Sequence, residues 1–421
     1  MDSTAWIALA IFMVVYVFIV SEKIHRTVIA LTGAMLMIVC GILTQEMAIH
    51  HIDFNTIGLL AGMMVVVNIT GETGLFNYLA VWSAKKVKAE PLKLLVALSF
   101  LTAICSAFLD NVTTVLLTVP LTFSITRQLN VPVKPFLVAQ ILASNIGGTS
   151  TLIGDPPNIM IGSAAGLSFV DFLTHLGPVV IVILAVTIIC FKFIYGNKLV
   201  VDEAAKETIM NLDEKKSIQD RALLKKSIVM IIFTLVGFVF HSNLGIESCV
   251  VAITSAVIML LIGKQDVDEI FASIEWSTIF FFVGLFIVVG GLVESGVIGS
   301  LAELIINATE GHIVATTMII LWLSAIISAF LDNIPFVATL IPLILTMQAN
   351  GIDVTPLWWA TSLGACLGGN GSLIGASANV VLAGVSEKHG HPITFGYFLK
   401  IGFPLMILSV IISTAYLLIV F

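Results

Sequence analysis

SAFLDN stands at residues 106–111 and again at 328–333, each time in the middle of a long apolar run. Those runs, 92–129 and 314–347, are each nearly two membrane spans long, and the dipeptides Asp110-Asn111 and Asp332-Asn333 fall where one span would end and another begin. Each run is therefore read as a re-entrant hairpin that enters and leaves the bilayer on one side. The spacing of the copies, 332 − 110 = 222, also holds around them: Asp53 with Glu275, Thr56 with Thr278, Gly62 with Gly284, Pro120 with Pro342. A later pair of glycine-rich segments, 147–154 and 368–375, is offset by 375 − 154 = 221, one residue having been lost between. The chain reads as a duplication, with repeats over 1–195 and 225–421 and a charged linker over 196–224.

Hydrophobic residues make up 58% of the chain and charged ones 11%, with a mean hydropathy of +1.10, against roughly 25% charged in a soluble domain. This is the composition of a polytopic membrane protein. Apolar stretches long enough to cross about 30 Å of hydrocarbon lie near 4–20, 27–43, 54–70, 135–166, 176–195, 226–241, 247–262, 276–292, 357–386 and 398–420. With about ten spans and two hairpins, every basic residue falls on one side, from Lys23 and Arg26 through Lys85, Arg127, Lys134, Lys192–Lys226 and Lys264 to Lys388 and Lys400. Short cytoplasmic loops collect Lys and Arg. The expectation is a multi-pass protein of the inner membrane with both termini outside and the linker cytoplasmic, as a solvated connector. An odd number of spans per half, about five, makes the second half enter the bilayer upside down. The fold class expected is thus all-α, two inverted repeats with a hairpin and a broken helix each (hairpins 92–129 and 314–347, broken helices 135–166 and 357–386), and in such folds the site lies where broken helices meet.

Non-helical backbone at membrane depth must be buried in protein or line a wet cavity. The candidates are the two hairpin tips and the glycine-rich breaks, Gly147 to Asn158 and Gly368 to Asn379. Glycine leaves helical geometry cheaply and frees carbonyls for a cation; Asp155-Pro156-Pro157 reads as a cap restarting a helix. A carboxylate at the bilayer centre costs at least ~2.5 kcal/mol on insertion scales, so Asp110, Asp155 and Asp332 are candidates for handling ions or protons, with helix capping as the plainer alternative. The candidate ion-binding set is Ser106, Asp110, Asn111, Thr114, Asn145, Gly148, Thr149, Asp155 and Asn158 in the first half. In the second half it is Ser328, Asp332, Asn333, Gly369, Asn370, Ser372 and Asn379, with Na+ placed at Asp110, Asn111, Asp332 and Asn333.

No Lys or Arg is expected in the central layer, where a carboxylate substrate would often meet a guanidinium clamp. That favours a small cation or a proton. Asp53 and Glu275 read as caps suited to a helix N-terminus, and Glu72 and Glu294 as helix-end polarity. The five cysteines lie singly in apolar runs and the histidines in loops, without metal-ligand spacing. No phosphate-cradling Gly-Lys-Ser/Thr motif occurs, so no ATPase of its own is expected, no enzymatic activity, and no nucleic-acid partner.

The segments SAFLDNVTT (106–114), SNIGGTSTLIGDPPNIMIG (144–162), SAFLDNIPF (328–336) and GACLGGNGSLIGASANVVLAG (364–384) resemble those of the ion transporter superfamily. It includes citrate-transporter-like divalent anion/sodium symporters, arsenite permeases and NhaD-type sodium/proton antiporters, and the motifs are most like its melanosomal P protein branch. The resemblance implies an elevator-type homodimer in the lipid bilayer, with a scaffold and a mobile transport domain holding both hairpins and both broken helices. It implies no cofactor beyond a transported or coupling Na+ or H+. Sodium-coupled dicarboxylate members carry Ser-Asn-Thr at the hairpin tips. Here the tips read Asp110-Asn111-Val112 and Asp332-Asn333-Ile334, keeping the Asn, replacing the Ser by an acid and losing the Thr. The function expected is secondary active sodium/proton antiport, the alternative being a sodium- or proton-coupled permease for arsenite, citrate or a dicarboxylate.

Overall fold

The structure, a computed structural model, describes all residues but Met1, Asp2, Glu22, Asn197, Lys198, Val200, Asp202, Glu310 and Gly311. Four of these fall in the expected linker, whose boundary region near 197–202 lies largely outside the described residues. The rest of the chain forms helices in a pattern that runs through twice. The first pass is α1 (Ser3–Ser21), α2 (Arg26–Val39), α3 (Gln45–His50), α4 (Phe54–Glu72), α5 (Leu75–Lys86), α6 (Pro91–Phe108), α7 (Asn111–Gln128), α8 (Lys134–Gly148), α9 (Pro156–Ala165) and α10 (Phe169–Tyr195). After α11 (Glu203–Met210) the second pass is α12 (Arg221–Phe240), α13 (Ser248–Gly263), α14 (Val267–Ala272), α15 (Trp276–Glu294), α16 (Val297–Ala308), α17 (Ile313–Phe330), α18 (Asn333–Ala349), α19 (Thr355–Gly368), α20 (Ser377–Lys388) and α21 (Phe395–Val420).

Local chemistry places the boundaries. The carboxylate of Asp53 accepts from the backbone N–H groups of Asn55 (3.0 Å) and Thr56 (3.2 Å), capping α4 as expected. Ser168 and Asp171 cap each other's backbone at the start of α10, the reciprocal box that satisfies two orphan donors. Prolines open α6, α8, α9 and α19 within their first two residues, where no N–H is missed.

Packing between the halves repeats with the halves exchanged. α2 lies on α15 and α4 on α13. A Cβ on Gly284 of α15 would sit 2.6 Å from the Ala30 backbone, and one on Gly62 of α4 would sit 2.7 Å from the Ala252 backbone. Gly62 and Gly284, like Ala30 and Ala252, are 222 apart. The same holds inside each half: a Cβ on Gly147 would come 2.1 Å from the Ala103 carbonyl and one on Gly368 2.6 Å from that of Ala325, pressing α8 onto α6 and α19 onto α17. Small residues allow such backbone contact between helices, which packing in lipid favours.

Seven of the described helices are long and apolar enough to cross a membrane, α4, α6, α10, α12, α15, α17 and α21. One expected span is shorter than its apolar run. The run 27–43 yields only α2, about 21 Å at 1.5 Å per residue, because the chain turns at Cys40–Gly41, where Gly41 adopts φ +75°. α13, at the matching place in the second half, has 16 residues, the full length of its run. The expected solvated connector is also corrected, since its described end docks on the protein. Ile209 is fully buried, Gln219 N–H donates to the Thr73 carbonyl (3.0 Å), and Lys85 Nζ donates to Glu214 Oε2 (2.6 Å) and to the Leu212 carbonyl (2.8 Å). Gly74, at φ +80°, leaves room for the carbonyl of Ser217, which a Cβ would meet at 1.9 Å.

Candidate functional site

Each Asp-Asn tip begins the second arm of its hairpin. Asp110 is the N-cap of α7, its carboxylate accepting from the backbone N–H (2.8 Å) and the hydroxyl of Thr113. Asp332 is the N-cap of α18 and accepts more weakly, from Ile334 N–H at 3.2 Å. Asn111 and Asn333 follow, both buried. The tips thus end inside the protein, facing the glycine-rich breaks between α8 and α9 and between α19 and α20.

Asp155 departs from the capping reading. It stands at the N-cap position of α9, yet its side chain makes no cap hydrogen bond. Fully buried, it accepts instead from the Asn333 amide, 3.3 Å from each carboxylate oxygen. A carboxylate from the first half therefore meets the hairpin tip of the second. Asp110, Asn111, Asp155 and Asn333 share a cavity of about 20 Å3 with Glu275 and Arg26, room for about one water-sized occupant. Glu275 also lacks a side-chain cap bond among the described residues, and accepts from the Thr278 hydroxyl (3.1 Å). It belongs to the cavity rather than to the helix end expected of it.

The largest correction is Arg26. Expected in a basic loop away from the central layer, it heads the short helix α2 and points at the second hairpin tip. Its Nη1 donates to Asp332 Oδ2 (2.6 Å) and to Ser377 Oγ (2.5 Å), and Ser377 Oγ donates to the same Oδ2 (2.7 Å). The guanidinium lies over the Phe281 ring, 5.0 Å from its centroid, a cation–π placement. Beside it opens a larger cavity of about 460 Å3, walled by Tyr16, His25, Arg26, Glu275, Ser277, Asp332 and Ser377. Four carboxylates, those of Asp110, Asp155, Glu275 and Asp332, and one guanidinium thus border the two cavities, which share Arg26, Glu275, Thr278 and Ser377 in their walls.

The other residues expected at the site form a hydrogen-bonded layer behind it. Asn158 ties the first break shut, its Nδ2 donating to the carbonyls of Thr149 (3.1 Å) and Thr151 (2.9 Å), with Gly148 at 3.4 Å. Asn379 does the same for the second, reaching Gly369 (2.7 Å) and Ser372 (2.9 Å). Asn145 joins the breaks across the halves, donating to Asn370 Oδ1 and Asn379 Oδ1, both at 2.9 Å, and accepting from Asn111 at 3.4 Å. Ser106 meets Ser144 (3.2 Å) and Ser328 the Ala365 carbonyl (2.6 Å). Thr114 Oγ1 is buried with no hydrogen-bond partner among the described residues. Among the described residues no cluster of three His, Cys, Asp or Glu side chains has a metal-binding arrangement.

Sequence reasoning missed Arg26, Ser377 and the cavity role of Glu275. Arg26 carried no usable signal, standing at the edge of an apolar run long enough to span; only the turn at Gly41 shortens the helix it heads.

Comparison with known proteins agrees with this architecture. A transporter from Mycobacterium tuberculosis, uncharacterized by name, is 41% identical over 418 residues, covering 98% of this chain and 97% of its own. The human P protein is 31% identical over 503 residues, covering 99% of this chain and 60% of its own. The crystal structure of the Alcanivorax borkumensis YdaH transporter superposes with a TM-score of 0.56 over 98% of this chain and 96% of its own, at 12% identity, and so shares the fold. The citrate transporter family profile matches residues 16–364, and the chain belongs to that family of membrane transport proteins.

Proposed function

We propose that this secondary transporter exchanges sodium for protons, with Asp155 as the carboxylate for which the two ions compete and Asp110 beside it. The observation that carries this reading is the placement of Asp155: fully buried, free of any capping duty, and hydrogen-bonded by the neutral Asn333 amide beside a cavity of ion size. A cap needs no charge, since Ser or Asn would serve as well, and an intramembrane carboxylate calls for a partner ion. Competition for one carboxylate couples two opposed fluxes without a second site. Under this reading the halves are inverted repeats, α6–α9 and α17–α20 move as one elevator-like body against the α2/α15 and α4/α13 pairs, and two copies assemble.

The test is transport in proteoliposomes. An inward sodium gradient should drive proton efflux with no organic anion present; uptake of labelled citrate with no such exchange would overturn the reading. Citrate symport is the second reading, favoured by the Arg26 guanidinium and the Ser377 hydroxyl beside the larger cavity and by the family's name.

A further inference from the structure

Where the α7–α8 loop meets the α20–α21 loop, a third cavity of about 1040 Å3 opens, sharing no wall residue with the two at the hairpin tips. Arg127 at the end of α7, Lys134 at the start of α8, and His389 and His391 after α20 line it, and no Asp or Glu does so among the described residues. Arg127 and Lys134 form no ion pair among those residues. The imidazoles are held against Phe123 of α7, with ring centroids 4.4 Å away for His389 and 6.0 Å for His391.

Positive charge in short loops is an ordinary product of membrane insertion, but two further features call for a ligand. The first is the start of α8, which has no side-chain cap. The matching helix of the second half, α19, is served by Asp353, whose Oδ1 accepts from the Thr355 N–H (3.1 Å) and hydroxyl (2.8 Å). Thr355 corresponds to Lys134 and Asp353 to Pro132 (353 − 132 = 221). One half thus brings its own anion to this helix start, whereas the other brings a cation and leaves the anion to come from outside. The second feature is Tyr195. It is 2% exposed and lines the cavity, and its hydroxyl has no hydrogen-bond partner among the described residues although Tyr397 stands beside it. A buried hydroxyl left so is costly, and an oxygen acceptor in the cavity would relieve it.

We propose that this cavity binds a phosphate group, carried by a lipid headgroup or by soluble phosphate, with Arg127 and Lys134 as its cations and the start of α8 and the Tyr195 hydroxyl as its donors. Guanidinium and ammonium groups suit phosphate oxygens, and a helix N-terminus adds N–H groups and the positive end of its dipole. The walls come from α7, α8 and α10 of the first half and from the α20–α21 region of the second, so an occupant ties the halves together and stabilises the fold it binds. The site is independent of which ion the transporter exchanges.

The full-length protein, purified in a phosphate-free alkyl maltoside, is titrated with inorganic phosphate and separately with dioctanoyl phosphatidic acid, with dioctanoylglycerol as the uncharged control, and the melting temperature is read. The wild type should show a saturable rise with at least one phosphate probe and none with dioctanoylglycerol. R127Q/K134Q should raise the half-saturating concentration more than about tenfold, and Y195F should raise it as well. K225Q, which removes an exposed lysine outside the cavity, should leave it unchanged. A rise with the lipid alone assigns the headgroup as the source, and a rise with inorganic phosphate assigns the soluble ion. No saturable rise with either probe, a lipid response that dioctanoylglycerol reproduces, equal loss in K225Q, or binding that Y195F leaves unchanged overturns the site. Should R127Q/K134Q not fold, R127Q alone carries the test, since Arg127 is exposed.

Discussion

At the scale of single residues, three aspartates legible from the sequence take three different duties. Asp110 caps, Asp332 caps weakly and pairs with Arg26, and Asp155 does neither. Asp155→Asn keeps the shape of the side chain and should lower sodium-driven proton exchange to background while leaving the melting temperature in detergent no lower, since it removes a buried charge. Asp110→Ala, in contrast, should cost about 1 kcal/mol of stability through the lost cap; a thermal shift measured on both variants distinguishes the two duties. The acids could be found because a carboxylate inside an apolar run is conspicuous. Arg26 could not, because it stands at the edge of its run, beside Lys23, where a basic loop is the ordinary expectation. What brought it inward is the shortness of α2, which depends on a turn at Gly41 that hydropathy does not register. Glu275 was obscured differently: its repeat partner Asp53 really does cap, and the sequence alone gives no sign that the longer side chain would swing to Thr278.

Among elements, the helix bounds were legible to within about two residues: the apolar runs 92–129 and 314–347 hold the helix pairs α6–α7 and α17–α18, over 91–128 and 313–349, each pair broken at its Asp-Asn. The glycines show why those boundaries are firm. Gly147→Ala would push a methyl to 2.1 Å from the Ala103 carbonyl, whereas Gly384→Ala in α20 meets nothing within 4 Å. The first should destabilise by about 1–3 kcal/mol through overpacking and the second should stabilise by up to about 1 kcal/mol from helix propensity, both read by thermal unfolding in detergent. The linker was misjudged because mixed charge looks solvated, and nothing in its composition shows that Lys85 waits on α5. The Lys85 ammonium, hydrogen-bonded to Glu214, holds that carboxyl below its ordinary value. A carboxyl so lowered supports docking above its unfolded value, and that support is lost as the pH falls through its folded value, below about 4.3. Limited proteolysis between Glu203 and Arg221 should therefore accelerate at low pH, and Glu214→Gln should show the fast rate already at neutral pH.

In the whole molecule, the site is assembled from both halves, so no single repeat can make it. Asp155 of the first half receives the amide of Asn333 in the second, Asn145 bonds Asn370 and Asn379, and Arg26 reaches Asp332 and Ser377. If α6–α9 and α17–α20 move together, contacts within that body persist through the cycle while those to α1 and α2 must break. Tyr16 on α1 donates its hydroxyl to the Pro335 carbonyl on α18, a contact across the moving boundary. Thr27 on α2 donates to the Ser277 carbonyl on α15 at 2.7 Å, a contact inside the static pair. Cysteines placed at 16 and 335, in a background without the five native ones, should arrest exchange when joined by a short bifunctional thiol reagent and recover when it is cleaved. Cysteines at 27 and 277 should crosslink without arrest. Equal arrest by both pairs would mean that α2 and α15 also rearrange, and equal activity would mean that the second hairpin stays fixed against α1 while ions cross; either result removes the rigid-body motion and leaves the carboxylate site to be opened by local gating at the tips.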